Sequence, residues 1–348
     1  MIREFSAESL VLTEKRELSL QSKKIFHKEG DAVFETLFTT ICGSDLRIML
    51  HGDSRITGPR VLGHEAVARV ISSGIRDDFV ESDIVAIGAD IPCADCKYCH
   101  LQQENLCTEH LALGYQIDGC LSSMIHIPSK FLLSAPIVKV FPKVFVEAYA
   151  LAEPAGCVIH GIEYSLVQKN HKVLILGGGP IGIMIAKVCL DLIGIDSQNI
   201  HIVEPFEYRR FFIAKMGLNV HSDLSELTRL GNPLFDRIFT ATSNPNSHSD
   251  VLDFIDRGGR INFFGGVPKN SSILKVDPNR IHYAEISLEG SHGSCPRHHR
   301  KATELISKDE FFWASMITLK TTLAELNPSI SRMREGKELK VAVSFGND

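Results

Sequence analysis

One turn constrains the fold of this 348-residue chain more than any other feature. A strand pattern at 172–176, apolar from Val173 onward, stops at Gly177-Gly178-Gly179-Pro180-Ile181-Gly182, and a helical pattern at 181–193 starts within the same six residues. Consecutive apolar residues mark a strand buried on both faces, as in the inner strands of parallel sheets. Gly177 permits the tight turn, Gly179 lets a pyrophosphate approach the backbone, and Gly182 lets helix pack on strand. The helix start then offers unpaired N–H groups and a positive dipole end to that anion. Glu204 follows about twenty residues later, after the strand pattern 200–203. A carboxylate there accepts hydrogen bonds from ribose hydroxyls and repels a 2′-phosphate, which points to NAD over NADP. Arg209 and Arg210 weigh the other way, because a nearby guanidinium accommodates that phosphate.

The turn belongs to a longer alternation. Strand patterns at 172–176, 200–203, 237–240 and 260–264 are separated by helical patterns at 181–193, 208–216 and 247–257. This spacing gives an α/β fold with a doubly wound parallel sheet. Upstream, short strands at 32–40, 66–72, 83–87 and 122–128 punctuated by Gly and Pro give a β-rich half, and 146–160 reads as helix. After about residue 290 only a helix near 300–307 and a strand at 339–345 remain. These are too few for a domain, so the tail is expected to return to the β-rich part. The expected division is 1–150, 151–290 and 291–348.

Composition narrows the function classes. The formal net charge of −5, from 37 basic and 42 acidic residues, gives no electrostatic reason to bind nucleic acid or an anionic membrane. The longest apolar run, 181–195, is broken by Lys187 and Asp191 and is too short to span a bilayer. Met1-Ile2-Arg3-Glu4-Phe5 carries an early acid and no apolar core, unlike a secretory signal. A cytoplasmic location is the expectation. Nine cysteines are an odd number, and four of them crowd into one segment as Cys93, Cys96, Cys99 and Cys107. Such a cluster reads as a metal site rather than a disulfide framework. Four thiolates close a tetrahedral zinc site and leave no open position, which describes a structural metal.

Further groups stand apart in sequence: Cys42-Gly43-Ser44-Asp45, Gly63-His64-Glu65, Ala152-Glu153-Pro154 and the loop Gly114-Tyr115-Gln116-Ile117-Asp118-Gly119-Cys120-Leu121. Together with the cysteine cluster and the glycine turn, they resemble the zinc-containing medium-chain dehydrogenase/reductase (alcohol dehydrogenase) superfamily, from near the N-terminus to the last strand. Glu153, where other members carry Cys, is similar to the sorbitol (polyol) and threonine dehydrogenase branch. The resemblance implies a Rossmann unit, a GroES-like catalytic unit and two zinc ions per subunit. It makes Cys42 and His64 ligands of a catalytic zinc, with Glu65 or Glu153 as the third. Asp45 would hold the His64 tautomer, and Ser44 would be the first hydroxyl of a proton relay.

The implied reaction passes a hydride between an alcohol carbon and the nicotinamide of NAD, held by Gly177, Gly179, Pro180, Ile181, Gly182, Glu204, Arg209, Gly265, Gly266 and Val267. Arg47 stands where several relatives have a relay histidine, and a guanidinium stays protonated. It is expected on cofactor phosphate, with His51 as an alternative relay. Ser291-His292-Gly293 would mark re-entry into the catalytic unit, with His292 at the cofactor or in the substrate pocket. His298 and His299 are expected to be exposed, and Cys120, Cys157, Cys189 and Cys295 to be packing residues. The expected substrate is a polyol or other secondary alcohol, with threonine or an amino alcohol as the alternative. From another class, a non-catalytic dinucleotide-binding zinc protein is the competitor. A homo-oligomer, dimer or tetramer, is expected by analogy, with no nucleic-acid or membrane partner.

Overall fold

The computed structural model describes residues 3–267 and 273–346. It contains two compact units, Met1–Gly156 with Gly293–Asp348, and Cys157–His292. The first division falls within the helix Ala152–Tyr164 rather than at residue 150. Pro154 lies in the first turn of that helix, where a missing N–H breaks no intrahelical bond, so the helix continues.

The unit Cys157–His292 is built on six strands in the spatial order Asn219–His221, Ile200–Val203, Val173–Leu176, Phe235–Thr240, Ile255–Phe263 and Ser287–Gly290. Every neighbouring pair is parallel. This is the doubly wound arrangement, with Val173–Leu176 at the point where strand order reverses. Leu174 and Leu176 pack with Phe235, Ile238 and Ile261 into one apolar core. Two edge strands, Asn219–His221 and Ser287–Gly290, escape the sequence pattern because each is short and carries polar residues. The segment expected as helix at 247–257 divides differently. Helix Pro245–Asp250 passes into a 3-10 turn, and a strand begins at Ile255. Gly258, at φ +69°, and Gly259 follow at once and are poor helix formers. The helix after the glycine turn is Pro180–Val188, extended by a π turn at Cys189–Ile193 and stopped at Gly194 with φ 77°.

In the other unit the main path of strands is Ile137–Val140, Ile84–Ile87, Glu65–Ser72, Ala32–Thr40, Lys340–Ser344 and Ile317–Thr321, with Met124–Ile127 also on Ala32–Thr40. A second sheet pairs Arg3–Leu12 with Leu18–His27 and Arg60–Val61. Register matters most at one end of the main sheet. Thr40 lies opposite Glu65 on one side and Ala342 on the other, and Ile41 N–H donates to Val341 at 3.0 Å. Residues 40–42, Glu65 and Lys340 therefore meet although they come from three distant segments. No helix among the described residues is long and apolar enough to cross a membrane.

Candidate metal centres and nucleotide turn

Cys93, Cys96, Cys99 and Cys107 bring their four sulfur atoms within 4.8 Å of one another. The segment between strands Asp90–Ile91 and Leu111–Ala112 does this with local turns. Ala94, at φ 63°, bends the chain so that the Asp95 and Cys96 amides point at Cys93 Sγ, at 3.5 and 3.3 Å. The Cys93 amide donates to Cys107 Sγ at 3.3 Å. Backbone amides of Cys99 and Thr108 lower the Cys96 thiol to about 6, while burial raises Cys99 and Cys107 beside it. Amide donors of this kind stabilise thiolate, the form that binds metal. None of the nine cysteines is held in a disulfide, so none competes for these four. The donor set fits a tetrahedral zinc with every position filled.

A second group forms where the three segments meet. Cys42 Sγ, a His64 ring nitrogen and a Glu65 oxygen lie within 4.8 Å of one another. His64 and Glu65 are buried at 4% and 0% exposure, whereas Cys93 of the first group is exposed. Cys42 caps the helix Gly43–His51, and Asp45 in its first turn accepts the Cys42 amide at 2.9 Å and the Gly63 amide at 3.3 Å. That carboxylate ties the two ligand-bearing segments together. It also faces His64 Nδ1 at 3.6 Å, leaving Nε2 toward Ser44 Oγ at 3.3 Å. Gly63 itself has φ +88°, and a methyl group on Gly119 would sit 2.1 Å from the Gly63 carbonyl. The loop 114–119 thus packs directly on the backbone that presents His64.

The electrostatics of this group ask for a cation. Asp45, Glu65 and Glu153 are all buried. Burial alone would push His64 down, yet the Asp45 carboxylate, Cys42 and Glu153 hold it well above its ordinary value. Lys340 behaves likewise, raised by Glu65 and Cys42 against the effect of burial. Lys340 and the Thr40 hydroxyl both engage Glu65 Oε2, while Glu65 Oε1 and His64 Nδ1 are buried without a hydrogen-bond partner. An orphaned buried carboxylate oxygen beside a thiol and an imidazole matches the donor chemistry of zinc. Between the two glutamates, Glu65 belongs to the three-atom group and Glu153 stands outside it, acting on His64 and Lys340 through its charge. Sequence reasoning missed Lys340, since nothing local marks a lysine 275 residues from its partner.

The relay candidates fall differently from expectation. Arg47 is exposed and bonds Asp53 at 3.2 Å. His51 ends its helix exposed to solvent. His298 and His299, expected at the surface, are buried at 0% and 1%. The helix Pro296–Lys308 starts four residues earlier than its pattern suggests, and this turns both rings inward. His298 Nδ1 accepts the Cys295 amide at 3.0 Å, and His299 Nε2 contacts the Ala86 carbonyl at 3.3 Å. Cys120, Cys189 and Cys295 are buried, and Cys157 is half-buried.

The glycine turn has the shape its spacing implies. Gly177 has φ +99°, and a methyl group on Gly182 would lie 1.8 Å from the Gly177 carbonyl, so helix and strand touch through bare backbone. Pro180 occupies the first helical turn, which needs no N–H there. Gly179 faces only Arg209, 3.7 Å from its added methyl position, and this leaves room for a phosphate. Glu204 is more deeply seated than expected, at 2% exposure, with its oxygens accepting the Gly178 amide at 2.7 Å and the Phe206 amide at 2.9 Å. Arg209 approaches the same carboxylate at 3.7 Å, and Arg210 donates to the Glu204 and Pro205 carbonyls. After strand Ile255–Phe263, a methyl group on Gly265 would lie 2.5 Å from the Thr242 carbonyl, a second close backbone approach; Gly266 and Val267 follow it. Ser291 donates to Asn262 at 3.1 Å.

Residues 28–137 match the alcohol dehydrogenase GroES-like domain family. An L-threonine 3-dehydrogenase of Idiomarina loihiensis is 28% identical over 277 residues, covering 76% of this chain and 77% of that protein. An uncharacterized zinc-type alcohol dehydrogenase-like protein of Haemophilus influenzae is 25% identical, covering 91% of this chain and 92% of its own. In fold, the L-idonate 5-dehydrogenase of Escherichia coli K-12 superposes with a TM-score of 0.85 over 99% of both chains, at 21% identity. Residues 28–137 thus match the GroES-like domain family of alcohol dehydrogenases, and the chain as a whole is similar to zinc-type alcohol and L-threonine dehydrogenases.

Proposed function

We propose that this protein is a zinc-dependent oxidoreductase that transfers a hydride between a secondary alcohol, such as a polyol, and NAD(H). One observation carries the reading: a thiol, an imidazole and a carboxylate converge in a buried spot with unpartnered donor atoms, separate from a closed four-thiol group. Zinc bound there supplies Lewis acidity that makes an alcohol hydroxyl acidic near neutral pH. Cys42, His64 and Glu65 are the residues to hold it, with Glu153 contributing negative charge from just outside. Asp45 fixes the His64 ring, and Ser44 Oγ beside His64 is positioned to take the hydroxyl proton. Gly177, Gly179 and Gly182 with the following helix hold the pyrophosphate, and Glu204 favours an unphosphorylated ribose.

Oxidation of threonine or an amino alcohol is the second reading, favoured by the relatives that bear the name L-threonine 3-dehydrogenase. Both readings share the ligand set. Sugar alcohols, inositols, threonine and simple alcohols are to be assayed with NAD and NADP before and after chelation, alongside zinc analysis. The expected result is two zinc ions per chain and turnover lost on chelation. A single zinc with no turnover of any alcohol would leave a non-catalytic dinucleotide-binding protein.

A further inference from the structure

We infer that Arg55 selects substrates carrying a carboxylate near the reacting carbinol, so that the enzyme prefers hydroxy or amino acids over neutral alcohols. The inference rests on the alcohol-oxidising reading of the Cys42–His64–Glu65 group and narrows it.

Three contacts in sequence lead from that group to Arg55. Ser44 Oγ lies 3.3 Å from His64 Nε2. The buried Tyr115 ring lies 5.8 Å from the His64 ring. Arg55 stacks on this phenol, its guanidinium carbon 3.8 Å from the ring centre. The His64 ring and the Arg55 guanidinium therefore sit against one phenol, which brings a fixed cation to the edge of the group.

The guanidinium is held in place before any substrate arrives. Asp53 accepts Nε at 2.9 Å and Nη2 at 3.0 Å, and it also accepts the Arg55 backbone amide at 3.1 Å. These bonds fix the plane of the fork and use two of its five N–H donors. Asp53 does not cancel the local charge, because Arg47 shares the same carboxylate at 3.2 Å. Two guanidinium groups on one carboxylate leave a surplus positive charge about 30% exposed at Arg55. A neutral polyol needs no such charge. A carboxylate is the ligand a fixed, stacked guanidinium recognises best.

The test uses the zinc-loaded enzyme with NAD and matched pairs differing only in a carboxylate against the corresponding alcohol. L-threonine is set against L-threoninol, each 3-hydroxybutyrate enantiomer against butane-1,3-diol, and L-idonate against the matching hexitol. At least one acid is expected to exceed its partner in kcat/KM by about ten- to a hundredfold, the range of a hydrogen bond to a charged group. In Arg55→Met that ratio should fall toward one, chiefly through KM, and Arg55→Lys should recover part of it. NADH affinity, read by nucleotide fluorescence, reports whether Arg55 serves the cofactor instead. Wild-type enzyme that oxidises the alcohols as well as the acids overturns the inference and leaves alcohol oxidation standing. An Arg55→Met effect confined to NADH affinity overturns it as well. Absence of turnover with every pair removes the functional reading itself, and the inference with it.

Discussion

The two thiol-bearing groups of this chain obey opposite rules. Cys93, Cys96, Cys99 and Cys107 lie on one segment, are set by local turns, and include an exposed thiol. Cys42, His64 and Glu65 are brought together by strand register, with His64 and Glu65 buried and Cys42 half-buried, and are backed by a lysine near the other end of the chain. A local group organises itself and needs little from the fold. A non-local group depends on the sheet, and so its surroundings can tune it: Asp45 faces His64 Nδ1, Lys340 compensates Glu65, and Ser44 lies beside His64 Nε2.

Breaking the buried group should have the largest effect. His64→Ala is expected to lower kcat/KM by about a thousandfold or more, since several kcal/mol of charge stabilisation disappear. Zinc analysis of the same variant should still find the metal of the four-thiol group. Loss of both ions would show that the groups are not independent.

Lys340→Met tests the dependence on the sheet. It leaves the Glu65 carboxylate buried without its cation, and breaking a buried pair from one side costs about 3–5 kcal/mol. Urea unfolding reads this directly, and a change under 1 kcal/mol would mean that Glu65 is neutralised by other means.

Acid offers a third probe. Burial lowers His299 to about 4 in the folded protein, against about 6.5 when unfolded. Between these values the unfolded chain takes up a proton that the folded chain refuses, so stability falls as pH drops through that window. The full effect is about 3 kcal/mol, complete below pH 4 and absent above pH 6.5. His299→Gln should flatten that part of the profile; an unchanged slope assigns the acid sensitivity elsewhere.

The gentlest comparison sets Asp45→Asn against Asp95→Ala. Asp45 is 1% exposed and faces a ligand imidazole, so its loss should weaken zinc at the buried group about ten- to a hundredfold. Asp95 is 96% exposed beside His100, and its loss should change zinc retention in the cysteine segment by less than about threefold. Equal effects, by competition with a chelator, would erase the distinction between the groups.

Legibility in the sequence follows the same division. The glycine turn and the cysteine segment could be read because all their parts are neighbours in the chain, and the strand Val173–Leu176 because it is apolar throughout. Cys42 and His64 were visible only through the family resemblance, since neither residue is distinctive alone. Lys340, Tyr115 and Arg55 were not legible as site residues at all; their roles come from register and stacking between distant segments. His298 and His299 misled because a Pro/Arg-rich stretch reads as exposed turn, while the helix starting at Pro296 turns both rings inward.

Strands Asp90–Ile91 and Leu111–Ala112 pair antiparallel, so the cysteine segment leaves and re-enters the unit at adjacent points. Its other ties run to the segment that opens the helix Pro296–Lys308, where Arg297 donates to the Gln102 carbonyl at 2.8 Å and pairs with Glu104 at 3.0 Å. A single deletion between the two strands would remove all four thiols at once, at the cost of those bonds. No comparable deletion exists for the buried group, whose parts are scattered from Cys42 to Lys340, and it can be lost only one substitution at a time.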